Sequence, residues 1–315
     1  MRIAQIVAGT VPCVGYGGTE RQAEWLATEL ARQGHDVTLV ARPGSTNPLC
    51  AMRHASSREE AIAVIPETTE IAHFHGWYPA GDLRYPYVNT VHTLEKLAVD
   101  NDANWCFVSA SHARLYGKKT FVFNGFPIDA YRLATRKTDR LLFLAGIARP
   151  GKGLARAVDL ANKFDFELDV AGGSRWRLLT RSQTRRELIF FKSLAPRFHF
   201  HGIVDGQRKL RLLGEAKAFL NPLRWEEPFG MAPVEAMLCG TPMLATPRGA
   251  MPEIVSDEVG RLFETDEEFQ AALEAVAGLS PRRCREAAAD RFAISRTASA
   301  YLALYVRMLN GEFLD

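Results

Sequence analysis

Trp225-Glu226-Glu227-Pro228-Phe229-Gly230-Met231-Ala232-Pro233-Val234-Glu235-Ala236-Met237-Leu238-Cys239-Gly240 sets the frame for the whole 315-residue chain. Pro233 suits the first position of a helix, where its missing N–H has no intrahelical acceptor to lose. Gly240, with Pro242 two residues on, reads as the stop. The predicted helix is short, about two turns, with Glu235 in its first turn and Glu227 ahead of it in the loop. Backbone N–H groups from Phe229 through Gly230 and Met231 to Ala232 would point forward from the positive end of the helix dipole. That makes an anion cradle flanked by two carboxylates. Carboxylates accept from hydroxyls and N–H groups donate to phosphates, so the combination suits a ligand that is part sugar and part phosphate. The plainer reading is a helix start with a dipole-favoured Glu235 and a solvated Glu226–Glu227 pair.

A chain of this length has room for two domains, each with its own core. Its 47% hydrophobic and 24% charged content is that of an ordinary globular protein. A net charge of only +3 makes no global demand for nucleic acid. No apolar run is long enough to span a bilayer, and Met1-Arg2-Ile3 leads straight into a strand, so the expected location is cytoplasmic, or peripheral at the inner face of a membrane. Cys13, Cys50, Cys106, Cys239 and Cys284 are odd in number and form no Cys-x-x-Cys, which points to reduced thiols and no zinc.

From the N-terminus, Arg2 to Ala8 reads as a buried strand, Gly18 to Arg32 as a helix and Asp36 to Ala41 as the next strand. This β-α-β unit predicts a parallel sheet. Its loop carries Gly15-Tyr16-Gly17-Gly18-Thr19-Glu20. A dinucleotide-binding fingerprint would be shorter and would end in glycine where Glu20 stands, and Arg42 replaces the ribose-reading acid. An NADP-dependent oxidoreductase therefore survives only as an alternative. Tyr87 to His92 is a strand whose carboxyl end presents His92, the position at which parallel sheets face their ligands. The pairs His73/His75 and His199/His201 share a strand face but lack a third ligand at suitable spacing, so they read as strand residues rather than metal ligands. Phe121 to Phe123 reads as a further strand.

Leu141 to Ala145 opens a second sheet. The following Gly146-Ile147-Ala148-Arg149-Pro150-Gly151-Lys152-Gly153 is one residue short of a P-loop, with Gly153 where a hydroxyl should hold magnesium. Gly172-Gly173 ends the strand Phe166 to Ala171. Residues 175–192 interleave basic and apolar side chains, as in a helix lying on anionic lipid or a merely solvated helix face.

Glu-Pro-Phe-Gly, then Glu-Ala-Met, then Cys-Gly-Thr-Pro resembles the Glu-x7-Glu signature of the retaining glycosyltransferases of family 4. Gly17-Gly18-Thr19-Glu20, Val91-His92-Thr93, Asn124-Gly125, Lys152-Gly153 and Gly249-Ala250-Met251-Pro252-Glu253 resemble further family segments, in the family's order. The resemblance implies an α/β protein of the GT-B fold, two facing Rossmann-like domains with parallel sheets and a cleft between them. The expected divisions are residues 1–138, 139–296 and a C-terminal helix, 297–315, returning to the N-terminal domain. The implied reaction is transfer of a sugar from a UDP- or GDP-sugar to an acceptor hydroxyl on a glycan, glycolipid or small molecule, with no metal and no other cofactor. By resemblance, Glu235 holds the ribose and Glu227 the transferred sugar. Lys152, Arg149 and the amides of Phe229, Gly230 and Met231 bind the diphosphate. Gly17 and Gly18 approach phosphate and acceptor, Gly172 and Val204 lie at strand ends along the nucleotide, and His92 lines the reacting face. Where the family carries an arginine this chain has Ile147, with Arg149 two residues on. That departure leaves a non-catalytic nucleotide-sugar-binding subunit as the other alternative.

Overall fold

The computed structural model describes residues 1–15, 17–79, 83–94, 104–179 and 188–314. They form two units, one of residues 1–127 and 292–315, the other of residues 128–291. The first division thus falls earlier than residue 138, within the turn-rich Asn124–Asp129 stretch.

In the first unit the strands are β1 (Arg2–Val7), β2 (Asp36–Ala41), β3 (Ala51–His54), β4 (Ile71–His75), β5 (Tyr87–Thr90) and β6 (Trp105–Cys106), in the parallel order β3-β2-β1-β4-β5-β6. After their first residues β1 and β2 are buried throughout, as strands covered on both faces must be. The helix Gly18–Arg32 turns Ala23, Leu26, Ala27 and Leu30 onto the sheet at helical spacing. The strand expected at Phe121–Phe123 reduces to one parallel bridge, Phe107 to Phe121. Phe123 instead packs its ring on Phe292, 5.6 Å between centroids.

Phe292 begins the part of this unit supplied by the C-terminus. The N–H of Phe126 donates to the Phe292 carbonyl (2.8 Å), and that of Ile294 donates back to Phe126 (2.9 Å). The helix Ile294–Leu309 then buries Ile294, Ala298, Tyr301, Leu304, Tyr305 and Met308 in the same core as β1, β2 and the helix Gly18–Arg32. Gln22 holds the entry point from the other side, accepting from the Gly125 N–H and donating to its carbonyl, both at 2.9 Å.

That core is not wholly apolar. His73 and His75 on β4 are fully buried, with ring centroids 4.0 Å apart. His73 is hydrogen bonded to Tyr305 Oη and Thr90 Oγ1, and His75 to Gln5 Oε1. Burial, aided by the neighbouring imidazoles, lowers the pKa of both well below the ordinary histidine range.

The second unit repeats the architecture with β7 (Leu141–Leu144), β8 (Leu168–Ala171), β9 (Phe198–Gly202), β10 (Ala218–Asn221), β11 (Met243–Ala245) and β12 (Gly260–Leu262). Their order is β12-β11-β10-β7-β8-β9, again parallel. Each sheet grows one way from its first strand and then resumes on that strand's other side. The reversal lies between β1 and β4 in one sheet and between β7 and β10 in the other. Loops leaving the carboxyl ends of such a pair diverge and open a ligand crevice.

Histidines that stay neutral when folded but titrate near pH 6.5 when unfolded make stability fall as pH drops below that value. Each contributes a slope of about 1.4 kcal/mol per pH unit between its unfolded and folded pKa. Urea midpoints taken from pH 7 to pH 5 are expected to fall steeply, and less so in His73→Gln. A flat profile over that window would contradict the buried, neutral assignment.

Candidate functional site

The reversal between β7 and β10 is where the second unit gathers its chemistry. The loop after β7 carries Lys152 and the loop after β10 carries Trp225, Glu226 and Glu227. The two loops are tied by their backbones. Arg224 N–H donates to the Gly151 carbonyl at 2.8 Å, and Gly153, at φ +83°, sits so close to Pro222 that an added Cβ would lie 1.8 Å from its carbonyl oxygen. A side chain at 153 would therefore force the loops apart. This packing, rather than a phosphate cradle alone, explains the glycines on either side of Lys152.

Lys152 Nζ lies 2.5 Å from Glu227 Oε2, to which the Trp225 indole N–H also donates at 2.8 Å. The ammonium sits 4.9 Å from the centre of the Trp225 ring. Glu227 is only 9% exposed, so this carboxylate needs a cation and a donor beside it, and it has both. The loop after β11 props it from behind. Gly249 N–H donates to Glu226 Oε2 (2.6 Å) and Ala250 N–H to the Glu227 carbonyl (2.9 Å). Gly249, at φ +58°, lies flat on the Glu226–Glu227 backbone, where a Cβ would fall 2.2 Å from an oxygen.

The short helix begins earlier than Pro233 implies. It spans Met231–Leu238, capped by Gly230 at φ 97°. Glycine takes that left-handed cap without strain, and Pro233, now third in the helix, still lacks an i−4 carbonyl to need. Glu235 accordingly lies beyond the first turn, which contains no acidic residue. It is 5% exposed and held by Lys209, whose Nζ is 2.7 and 2.6 Å from its two oxygens, and by Tyr131 Oη at 3.1 Å. Phe229 is buried beside the cap.

Ile147 is 2% exposed and lies in the hydrophobic core, where it fills the space a Cβ on Gly173 would need. It is a packing residue. Arg149 is exposed, with its aliphatic stem beside Gly146. Gly172 donates from its N–H to the Gly202 carbonyl at 2.8 Å, which brings the ends of β8 and β9 together just before the buried Val204. His199 and His201 on β9 pair with Glu167 (3.1 Å) and Asp169 (2.7 Å).

A cavity of about 580 Å³ in the same unit lies at the ends of β10 to β12, lined by Arg156, Lys192, Arg224, Glu226, Arg248 and Glu264 among others. It does not include Lys152, Glu227 or Glu235. Its charges are largely consumed in pairs, Lys192 with Asp159 and Arg248 with Glu264. Chemistry, not volume, marks the site.

In the first unit Gly17 caps the helix that Gly18 opens, close against Cys13 and Glu20. His92 stands two residues beyond the end of β5, not within it, and its Nε2 lies 2.9 Å from His75 Nδ1. Burial pushes its pKa down to about 3. Arg42 donates to the Ala8 carbonyl at 2.8 Å and lies over the Trp77 ring, so it serves the local loop.

The basic stretch divides into a 3-10 turn, Arg175–Leu179, and a short helix, Ile189–Lys192; its residues 180–187 lie outside the described residues. No helix of the described residues is long and apolar enough to cross a membrane.

Sequence reading missed Lys209, Tyr131, and the Trp225 indole as partners of the two glutamates. Burial of Glu235 demands a cation, but only the fold selects Lys209 from a helix that also carries Arg208 and Arg211.

Residues 138–279 match the family model described as Glycosyl transferases group 1. The chain is 34% identical over 161 residues to the lipopolysaccharide core biosynthesis mannosyltransferase LpsB of Rhizobium meliloti (strain 1021), covering 46% of this chain and 44% of that protein. It is 31% identical over 162 residues to the phosphatidyl-myo-inositol mannosyltransferase of Mycobacterium tuberculosis (strain ATCC 25618 / H37Rv), covering 47% of this chain and 41% of that protein. The match thus spans less than half the length of these curated relatives. Among solved structures, AviGT4, a glycosyltransferase involved in avilamycin A biosynthesis, superposes with a TM-score of 0.84 at 24% identity over 100% of this chain and 99% of that one. Sucrose-phosphate synthase from Thermosynechococcus elongatus gives 0.76 at 18% identity over 99% and 100%. The fold is GT-B, and the segment matching the group 1 model is the one that carries Lys152, Lys209, Glu227 and Glu235.

Proposed function

We propose that this protein is a retaining glycosyltransferase of family 4 that moves a hexose from a UDP- or GDP-sugar to an acceptor hydroxyl. The observation that carries the reading is the Lys152–Glu227 pair at the β7/β10 reversal, with Glu235 held separately by Lys209 and Tyr131. A cation resting on a carboxylate can exchange that partner for a diphosphate. Lys152 then neutralises the phosphate, and Glu227 is released to accept hydrogen bonds from sugar hydroxyls. Glu235, kept charged and oriented, accepts from the ribose.

In the transfer step the bond from the anomeric carbon to the phosphate oxygen breaks and the bond to the acceptor oxygen forms on the same face. The acceptor's proton passes to the departing phosphate oxygen. Negative charge grows on the diphosphate, and Lys152, Arg149 and the N–H groups at the start of the helix Met231–Leu238 stabilise it without a metal. The Gly172 and Val204 strand ends are assigned to the nucleotide, and Gly17, Gly18 and His92 to the phosphate and sugar. The mannosyltransferase names of two relatives favour a hexosyl donor.

A second element of the reading concerns the acceptor. Trp176 is 71% exposed, and Leu188, Phe191 and Leu194 are exposed in the neighbouring sequence among basic residues. Aromatic and aliphatic side chains set among cations suit the surface of anionic lipid, with the protein peripheral at the inner face of a membrane and the acceptor a glycolipid.

Nucleoside diphosphate release from a panel of UDP- and GDP-hexoses, assayed in EDTA, tests the activity. The expected result is slow release without acceptor and turnover with one. Lys152→Met should lower kcat/KM by about 100-fold or more, the scale of losing one preorganised charge partner of the transition state. Binding with no release from any donor would favour the non-catalytic subunit, and restoration of turnover only by magnesium or manganese would contradict the metal-free step. Co-sedimentation with phosphatidylglycerol vesicles tests the membrane reading. Binding at low salt that is lost in Trp176→Ser is expected, and a protein that stays in the supernatant with the vesicles would contradict it.

A further inference from the structure

His92 is the near end of a buried chain of hydrogen bonds that runs through the first unit to the C-terminal helix. His92 Nε2 lies 2.9 Å from His75 Nδ1, and His75 Nε2 lies 2.8 Å from Gln5 Oε1. Gln5 Nε2 donates to Tyr305 Oη at 2.9 Å, and that oxygen lies 2.7 Å from His73 Nδ1. His73 Nε2 reaches Thr90 Oγ1 at 2.7 Å, which in turn lies 3.0 Å from Tyr301 Oη. Three strands and one helix contribute, and residues 5 and 305 meet at its centre.

A neutral imidazole has one N–H and one bare nitrogen, so each ring passes on the sense of the bond it receives. With Gln5 Oε1 toward His75, the His75 proton must sit on Nε2 and its Nδ1 must accept. His92 must then donate from Nε2, which leaves His92 Nδ1 bare. On the other side Gln5 donates to Tyr305 Oη, which can donate to His73 Nδ1 or accept from it, and His73 Nε2 correspondingly donates to Thr90 Oγ1 or accepts from it. Turning the Gln5 amide over reverses the bonds on the His92 side and moves the protons of His75 and His92 from Nε2 to Nδ1. The Gln5 amide thus sets His75 and His92 together, whereas His73 can take either tautomer while Tyr305 accepts from Gln5, because a hydroxyl oxygen has two lone pairs. His92 Nδ1 is buried and has no hydrogen-bond partner among the described residues, so it is the one free valence at the open end.

We propose that Gln5, His75 and Tyr305 are positioning residues that fix the tautomer of His92, presenting Nδ1 as a hydrogen-bond acceptor to a ligand hydroxyl. The C-terminal helix thereby sets the hydrogen-bonding polarity of a histidine from which it is remote in sequence. The functional consequence rests on the proposed glycosyltransferase reading, in which His92 meets the transferred sugar; the tautomer itself does not.

The test is imidazole ¹⁵N–¹H correlation spectroscopy on the full chain without ligand. The expected spectrum shows His75 and His92 both protonated on Nε2. A wild-type spectrum in which His75 and His92 carry different tautomers, or in which His92 holds its proton on Nδ1, overturns the proposal. Tyr305→Phe removes the acceptor that orients Gln5, so a second His92 tautomer should appear. Unchanged His92 signals in the folded variant also overturn the proposal, and should that variant not fold, the wild-type spectrum decides alone. Gln5→Leu separates the two readings. An altered His92 tautomer with undiminished sugar transfer would keep the chain and remove His92 from the reaction, whereas loss of transfer in step with the tautomer supports both.

Discussion

Everything at the candidate site follows from the reversal of strand order between β7 and β10. Parallel strands need crossover connections, and a sheet that grows in both directions from its first strand must leave one pair of neighbours whose exits diverge. In this unit the diverging loops are drawn back together by backbone contacts. Gly153 rests on the Pro222 carbonyl and Arg224 donates to Gly151. The result sets a lysine from one loop against a glutamate from the other, and a third loop, after β11, fixes the glutamate's backbone through Gly249 and Ala250.

Burial then dictates the electrostatics. Glu227 and Glu235 are nearly excluded from water, and an isolated carboxylate in such a place is costly unless it is paired and hydrogen bonded. Each has its own lysine and its own neutral donor: Lys152 and the Trp225 indole for Glu227, Lys209 and the Tyr131 hydroxyl for Glu235. The difference between the pairs is where their lysines come from. Lys209 belongs to an α-helix of ten residues and grips both oxygens of Glu235, whereas Lys152 ends a single 3-10 turn, Pro150–Lys152, and meets one oxygen of Glu227. A diphosphate can take over the second lysine more readily than the first. In the proposed function that asymmetry makes Glu235 the fixed reader of the ribose and Glu227 the group released by the donor.

Much of this is legible in the amino-acid sequence. Alternating strand and helix patterns gave the two parallel sheets, and the helix Gly18–Arg32 and strand Asp36–Ala41 fall where the apolar spacing puts them. Gly230 and Gly249 stood out as glycines in the motif segments, and their φ values of 97° and 58° supply the reason. Pro233 misled about the helix start, because proline is tolerated through the whole first turn and not only at its first residue. Ile147 looked like a missing cation when it is a core residue under Gly173. Lys209 and Tyr131 were invisible because nothing in a linear spacing tells a buried carboxylate which distant donor it will meet. Tyr301 and Tyr305 lie on the buried face of the C-terminal helix, yet their hydroxyls end in a polar chain that only the packing of residue 305 against residue 5 could disclose.

The account turns on the exchange of partners at Lys152, and a crystal structure of the protein with a bound UDP or GDP tests it most directly. The predicted result is a diphosphate on Lys152 Nζ beside the start of the helix Met231–Leu238, the Glu227 carboxylate released from that lysine, and the ribose hydroxyls on a Glu235 still held by Lys209. A nucleotide bound elsewhere, or one bound there with the Lys152–Glu227 pair intact, would contradict it.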